Sequence, residues 1–122
     1  MSTLNVSNIT DGTDTVATGY VVNGSAKAWV NFNGTGTVAI IESLNGSSIT
    51  DVTNGQYRLN FSSSMTSANY AALLGSSSMV YDQGTLQDTS TNAYVGIKVQ
   101  DGSVNTFIDA SIVSAGVFGD LA

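Results

Sequence analysis

Cysteine, histidine and proline are absent from the 122 residues, and charge is scarce. Without cysteine there is no disulfide framework, no thiolate zinc site and no thiol nucleophile. Without histidine the Ser-His-Asp and Cys-His mechanisms fall away, together with the usual proton carrier near neutral pH. Lys27, Arg58 and Lys98 are the only bases against nine acids, for a net charge of −6. Three cations are too few to line a phosphate-tracking groove or to hold an anionic membrane surface. The expectation is a protein that is not an enzyme, carries no cofactor or metal, and binds neither nucleic acid nor membrane. No basic segment followed by an apolar one opens the chain, and no apolar run approaches the roughly 20 residues that span a bilayer. These absences predict a protein made without an export signal.

What is present points to strands. Ser, Thr, Gly and Asn fill 55 of the 122 positions, the residues of tight turns and polar strand faces. A hydrophobic content of 42% with positive mean hydropathy does not fit a chain that stays unfolded. The length suits one domain.

Period-2 alternation then locates the strands. In Ala26–Phe32, Ala26, Ala28, Val30 and Phe32 share one face, and Lys27, Trp29 and Asn31 the other. Asn33-Gly34-Thr35-Gly36 turns the chain into a returning strand at Val38–Ile41. A short strand at Ser48–Val52 ends at Asn54-Gly55, and Gln56–Phe61 alternates with Tyr57, Leu59 and Phe61 inward. Ala93–Val99 alternates again, and an apolar run closes the chain at Ile112–Phe118. The run Ala71–Leu74 can form one helical turn, and Gln83–Asn92, polar but for Leu86, reads as an exposed loop. Turn signals every 8–12 residues predict an all-β fold: a small antiparallel β-sandwich or barrel of about eight or nine short strands. Residues 1–25, poor in apolar side chains, read as an extended N-terminal arm beside a 26–122 domain.

The candidate chemical constellations resolve into ordinary structure. Asp11 and Asp14 flank Gly12-Thr13, and Asp101 lies near Asp109, but calcium requires six to eight oxygens from several directions. An Asp-Gly pair is a turn element first. Glu42, the only Glu, has no partner carboxylate selected by spacing and reads as a solvent-facing strand residue. Gly34-Thr35-Gly36 lacks the following helix and Lys-Ser/Thr of a phosphate loop.

Interaction residues are better motivated. Leu4, Val6 and Ile9 in the arm, and Trp29 on the face opposite the core, are the candidate oligomer or docking contacts. Tyr57 and Tyr70 read as core, whereas Tyr81, Gln83, Gln87 and Tyr94 form a candidate recognition surface of the aromatic and amide type. A domain this small buries only about two-thirds of its unfolded surface. With no disulfide or metal to help, it is expected to be a homo-oligomer.

The string Ala26-Lys27-Ala28-Trp29-Val30-Asn31-Phe32-Asn33-Gly34-Thr35-Gly36-Thr37-Val38-Ala39-Ile40 resembles a module of tail-fibre and other virion proteins of marine and cyanobacterial bacteriophages. The resemblance continues through Ser47–Asp51, Gly55-Gln56-Tyr57, Asn60-Phe61, Met65 and Ala68-Asn69-Tyr70. The opening Ser2–Val6 is similar to the arm of such proteins. It implies a virion structural protein: a homotrimeric fibre or spike that attaches to a host surface or to another virion protein, and the polar, low-charge loops suit a glycan as candidate receptor. The arm would then meet its own copies or other virion proteins. A head decoration or tail assembly protein without host contact is the alternative.

Overall fold

A computed structural model describes residues 1–77, 90–101 and 106–122 in full and residues 84–88 along the backbone. The chain runs β1 (Asn8–Thr10), β2 (Thr15–Ala17), α1 (Thr18–Gly24), β3 (Ala28–Asn33), β4 (Ala39–Leu44), β5 (Gly46–Thr53) and β6 (Gln56–Phe61). It continues through β7 (Ala71–Ser76), β8 (Gly84–Asp88), β9 (Tyr94–Asp101), β10 (Thr106–Phe107) and β11 (Val113–Phe118). A four-stranded sheet of order β4-β3-β11-β7 faces a five-stranded one of order β10-β9-β6-β5, with β8 also paired to β9. Every pairing is antiparallel. The fold is a small all-β sandwich rather than a barrel, and the pattern of inward residues explains why. Ala28, Val30 and Phe32 of β3 and Val113, Ala115 and Val117 of β11 are buried on one sheet. Tyr57, Leu59 and Phe61 of β6 and Val95, Ile97 and Val99 of β9 are buried on the other. Two sheets with one apolar face each have to stack on each other.

Two readings from the sequence need correction. Ala71–Leu74 lies within β7, a full strand, because β11 offers it a ladder along six residues, Ala71↔Phe118 to Ser76↔Val113. Intrinsic helical preference over four residues cannot compete with such pairing. Gln83–Asn92 is not simply a loop: Gly84–Asp88 forms β8 against Gln100–Gly96 of β9. A strand needs backbone partners, not apolar side chains, and β9 supplied a second free edge. The arm is also more structured than an extended segment, since it holds the β1–β2 hairpin and the two-turn α1.

The two ends of the sandwich are closed by different means. At one end Met65 is buried, its N–H donates to the Asn92 carbonyl (2.8 Å), and Thr66 N–H donates to the Asp120 carbonyl (2.8 Å). Tyr70 packs edge-on against Phe61 (5.8 Å between centroids). Its hydroxyl lies 2.7 Å from the Tyr94 carbonyl oxygen and 3.0 Å from that of Thr91. At the other end the Tyr57 ring crosses the interior, packing edge-on against Phe32 of the facing sheet (5.1 Å). Tyr57 Oη there lies 2.7 Å from Asp109 Oδ1 and 2.8 Å from the Gly34 carbonyl oxygen, two acceptors for its one proton. Asp109 Oδ1 also accepts the Gly55 N–H at 2.7 Å, and Gly34 N–H donates to the Ala110 carbonyl at 2.9 Å. The glycines are there for room. A Cβ on Gly34 would stand 2.6 Å from Tyr57 Oη, and one on Gly55, at φ +66°, 2.6 Å from Ile108 backbone atoms.

Burial first, then the hydrogen bond and charge of Asp109, push the Tyr57 hydroxyl well above its ordinary value. Unfolded tyrosine ionises near pH 10. The contribution of this group to stability is therefore intact below about pH 10 and is lost as pH rises towards the higher folded value. Tyr57→Phe should cost about 1–3 kcal/mol at pH 7 and flatten the loss of stability above about pH 10, read by urea denaturation across pH. Gly34→Ala and Gly55→Ala should each cost about 1–3 kcal/mol. Gly75→Ala, where a Cβ meets nothing within 4 Å, should stay within about 0.5 kcal/mol of the parent in the same assay.

Candidate functional site

The arm is where the sequence placed its docking residues, and all of them are solvent-facing. Leu4 is 82% exposed, and Val6 and Ile9 are exposed as well. Eight of the fifteen exposed large hydrophobic side chains among the described residues fall within residues 1–25. The hairpin turn is internally satisfied: Asp11 Oδ1 accepts the N–H groups of Thr13 (2.9 Å) and Asp14 (2.8 Å). Those two donors, Asp14 first, hold the Asp11 carboxyl below its ordinary value. This is an Asx turn, with its carboxylate spent on backbone amides.

Thr18 joins hairpin to helix through its N–H and its Oγ1, both donating to the Ser7 carbonyl at 2.9 and 3.1 Å. The helix α1 buries none of its residues and has no side-chain N-cap. Gly19, Gly24, Val21 and Val22 are poor helix formers, so seven such residues need an external surface to be stable. The Lys27 ammonium donates to the carbonyls of Val22 and Ser25 and so fixes the exit of the arm from the sandwich. An open groove of about 320 Å3 between Leu4, Val6, Ile9, Val21 and Val22 leaves these side chains facing water.

Trp29 occupies the outward face of β3, 36% exposed. Strand pairing surrounds it with partners that the sequence reading missed. Leu44 stands opposite it on β4, Gly116 on β11, and beyond Gly116 comes Leu73 on β7, 67% exposed. The neighbouring row is Glu42, Asn31, Ser114 and Gly75. Asn31 Oδ1 is buried there without a hydrogen-bond partner. Leu73 could not be assigned to this face from sequence because Ala71–Leu74 is apolar at every position and has no period. Only the β11 register separates Leu73 from the inward Leu74.

The outer face of the five-stranded sheet holds Tyr94. It is half-buried, and the Arg58 guanidinium sits 4.9 Å from its ring centroid, a cation–π contact across strands. Gln87 lies in β8 opposite Ile97. Tyr81 and Gln83 lie outside the described residues, so the structure does not bring the four recognition residues into one described surface. The carboxylates considered for metal or catalysis are held in other ways. Asp109 is engaged by Tyr57 and Gly55, and Glu42 is exposed on β4. Among the described residues no group of three or more acidic side chains comes together as a metal cage.

No protein-family model matches the chain, and neither a curated protein nor a solved structure matches it.

Proposed function

We propose that the protein is a bacteriophage virion structural component: a homotrimeric fibre or spike module whose arm docks and whose sandwich is displayed for attachment to a host-surface glycan. The observation that carries this reading is the arm. Its strands pair only with each other, its helix buries nothing, and its apolar side chains face water. Exposed apolar side chains gathered in this way are the mark of an interaction surface. The resemblance of Ala26–Ile40 and the segments after it to phage virion modules supports the choice of partner class. In this reading attachment works by avidity: three copies of a weak polar contact hold where one does not.

A second reading, a head decoration or tail assembly protein with no host contact, is favoured by Tyr94. One face of its ring is already covered by Arg58. Its backbone oxygen also anchors Tyr70, which commits this candidate recognition residue to the sheet.

Two measurements test the proposal. Light scattering at low micromolar concentration should give three times 12.5 kDa, and a monomer would contradict self-association. Gold labelling of intact particles with an antibody against the sandwich should mark the fibre or tail tips. Label over the head would select the second reading, and particles without label would remove both.

A further inference from the structure

We propose that the arm of one copy lies across the outer face of the four-stranded sheet of a second copy, over the row Leu44, Trp29, Gly116 and Leu73. The proposal rests on the reading of the chain as a self-associating component and names the surface that receives the arm.

Area gives the first argument. The chain exposes 7177 Å2, about 1,000 Å2 more than a compact monomer of this mass. That excess is close to the roughly 800 Å2 that each partner contributes to a stable interface. The molecule therefore carries about one partner's share of uncovered surface, and the arm holds eight of the fifteen exposed large hydrophobic residues among the described ones.

Shape gives the second. The row crosses four strands, hence three strand spacings, about 14 Å. An extended Leu4–Ile9 segment makes five steps of about 3.3 Å, about 16 Å. Gly116 stands between Trp29 and Leu73, and Gly75 stands in the next row with open space above it. The absent side chains leave a shallow trough that is open at Gly75 and bordered at Gly116 by the Phe118 ring, 3.6 Å from where a Cβ would stand. Residues 1–10 hold no charged side chain, so they can lie beside Glu42 without repulsion.

Strand addition at the sheet edge is the competing way for copies to associate, and bulges oppose it. The register shift beside Asn31/Phe32 leaves Ile41 of edge strand β4 unpaired, and β5, an edge of the other sheet, carries two such shifts. A bulged edge twists away from a flat partner. The face is left.

Because the native chain has no cysteine, engineered thiols report the contact without background. Val6→Cys and Leu73→Cys chains, co-expressed and oxidised, should form a disulfide-linked dimer containing one of each, while neither variant alone crosslinks. Crosslinking of Val6→Cys with itself would mean that arms pair with arms. Closure within one chain carrying both substitutions, at high dilution, would place the arm on its own sheet. Each of these outcomes, or no crosslink at all, overturns the proposal.

Trp29 is the only tryptophan, so its emission should shift to the blue as the protein is concentrated. Gly75→Val, which fills the trough with a residue suited to strands, should weaken association at least about tenfold while leaving the circular dichroism unchanged. Unaltered association in that variant would count against the site. Particle labelling is independent of these tests. A failed crosslink with labelled particles removes the arm-to-sheet contact alone, and a crosslink with unlabelled particles removes the virion reading alone.

Discussion

The Tyr57 hydroxyl is the point on which the two sheets are set against each other. Apolar burial supplies most of the drive to stack them, but burial is non-directional and tolerates sliding. The hydroxyl is directional. It belongs to β6 of one sheet, reaches the turn after β3 in the other, and meets Asp109 in the connection between β10 and β11. Three segments far apart in sequence are thereby brought to one oxygen-rich point at the end of the apolar layer. Asp109 Oδ1 accepts a hydroxyl and an amide, and such charge-assisted bonds are about twice as strong as neutral ones. A shift of one sheet along the other would leave the buried hydroxyl without a partner, at about 1–3 kcal/mol. Gly34 follows from this geometry, because a side chain there would occupy the space of the tie, and Gly55, whose N–H reaches Asp109, is held just as close against the Ile108 backbone.

That dependence also explains which parts of the fold could be read in the sequence. Ala26–Phe32, Gln56–Phe61 and Ala93–Val99 alternate cleanly because each has one face on the core and one in water, and the inward sets found there are the buried ones. Tyr57 and Tyr70 could be placed inside, but the reach of Tyr57 to Asp109 could not, since 52 residues separate them and no local pattern encodes the meeting. The segments β7 and β8 were illegible for opposite reasons. Ala71–Leu74 is apolar on both faces, and Gly84–Asp88 has only one apolar residue. In each the strand is made by a ladder supplied from elsewhere, by β11 and by β9.

The candidate site divides along the same line. Leu4, Val6, Ile9 and Trp29 stood out because a short arm has no core of its own and because alternation turned Trp29 outward. Leu44, Leu73 and the two glycines did not, because they become a row only when β4, β3, β11 and β7 are laid side by side. A binding surface built across strands is a property of register. A single strand carries one residue of it, and one residue has no pattern.

The same geometry bears on how copies of this chain would associate, under the proposed self-association, without running on into fibres. Edge-to-edge strand pairing is open-ended, since every added sheet presents a new edge. Bulges on β4 and β5 weaken that route, and the net charge of −6 adds long-range repulsion within a Debye length. An arm laid on a neighbour's face is a heterologous contact, one patch meeting a different patch, so it remains finite only by closing into a ring. The variable that matters is the direction in which the arm leaves the sandwich, past the Lys27 contacts with the carbonyls of Val22 and Ser25. That direction decides whether the ring closes and after how many copies. Three copies is the closure that the proposed trimer requires.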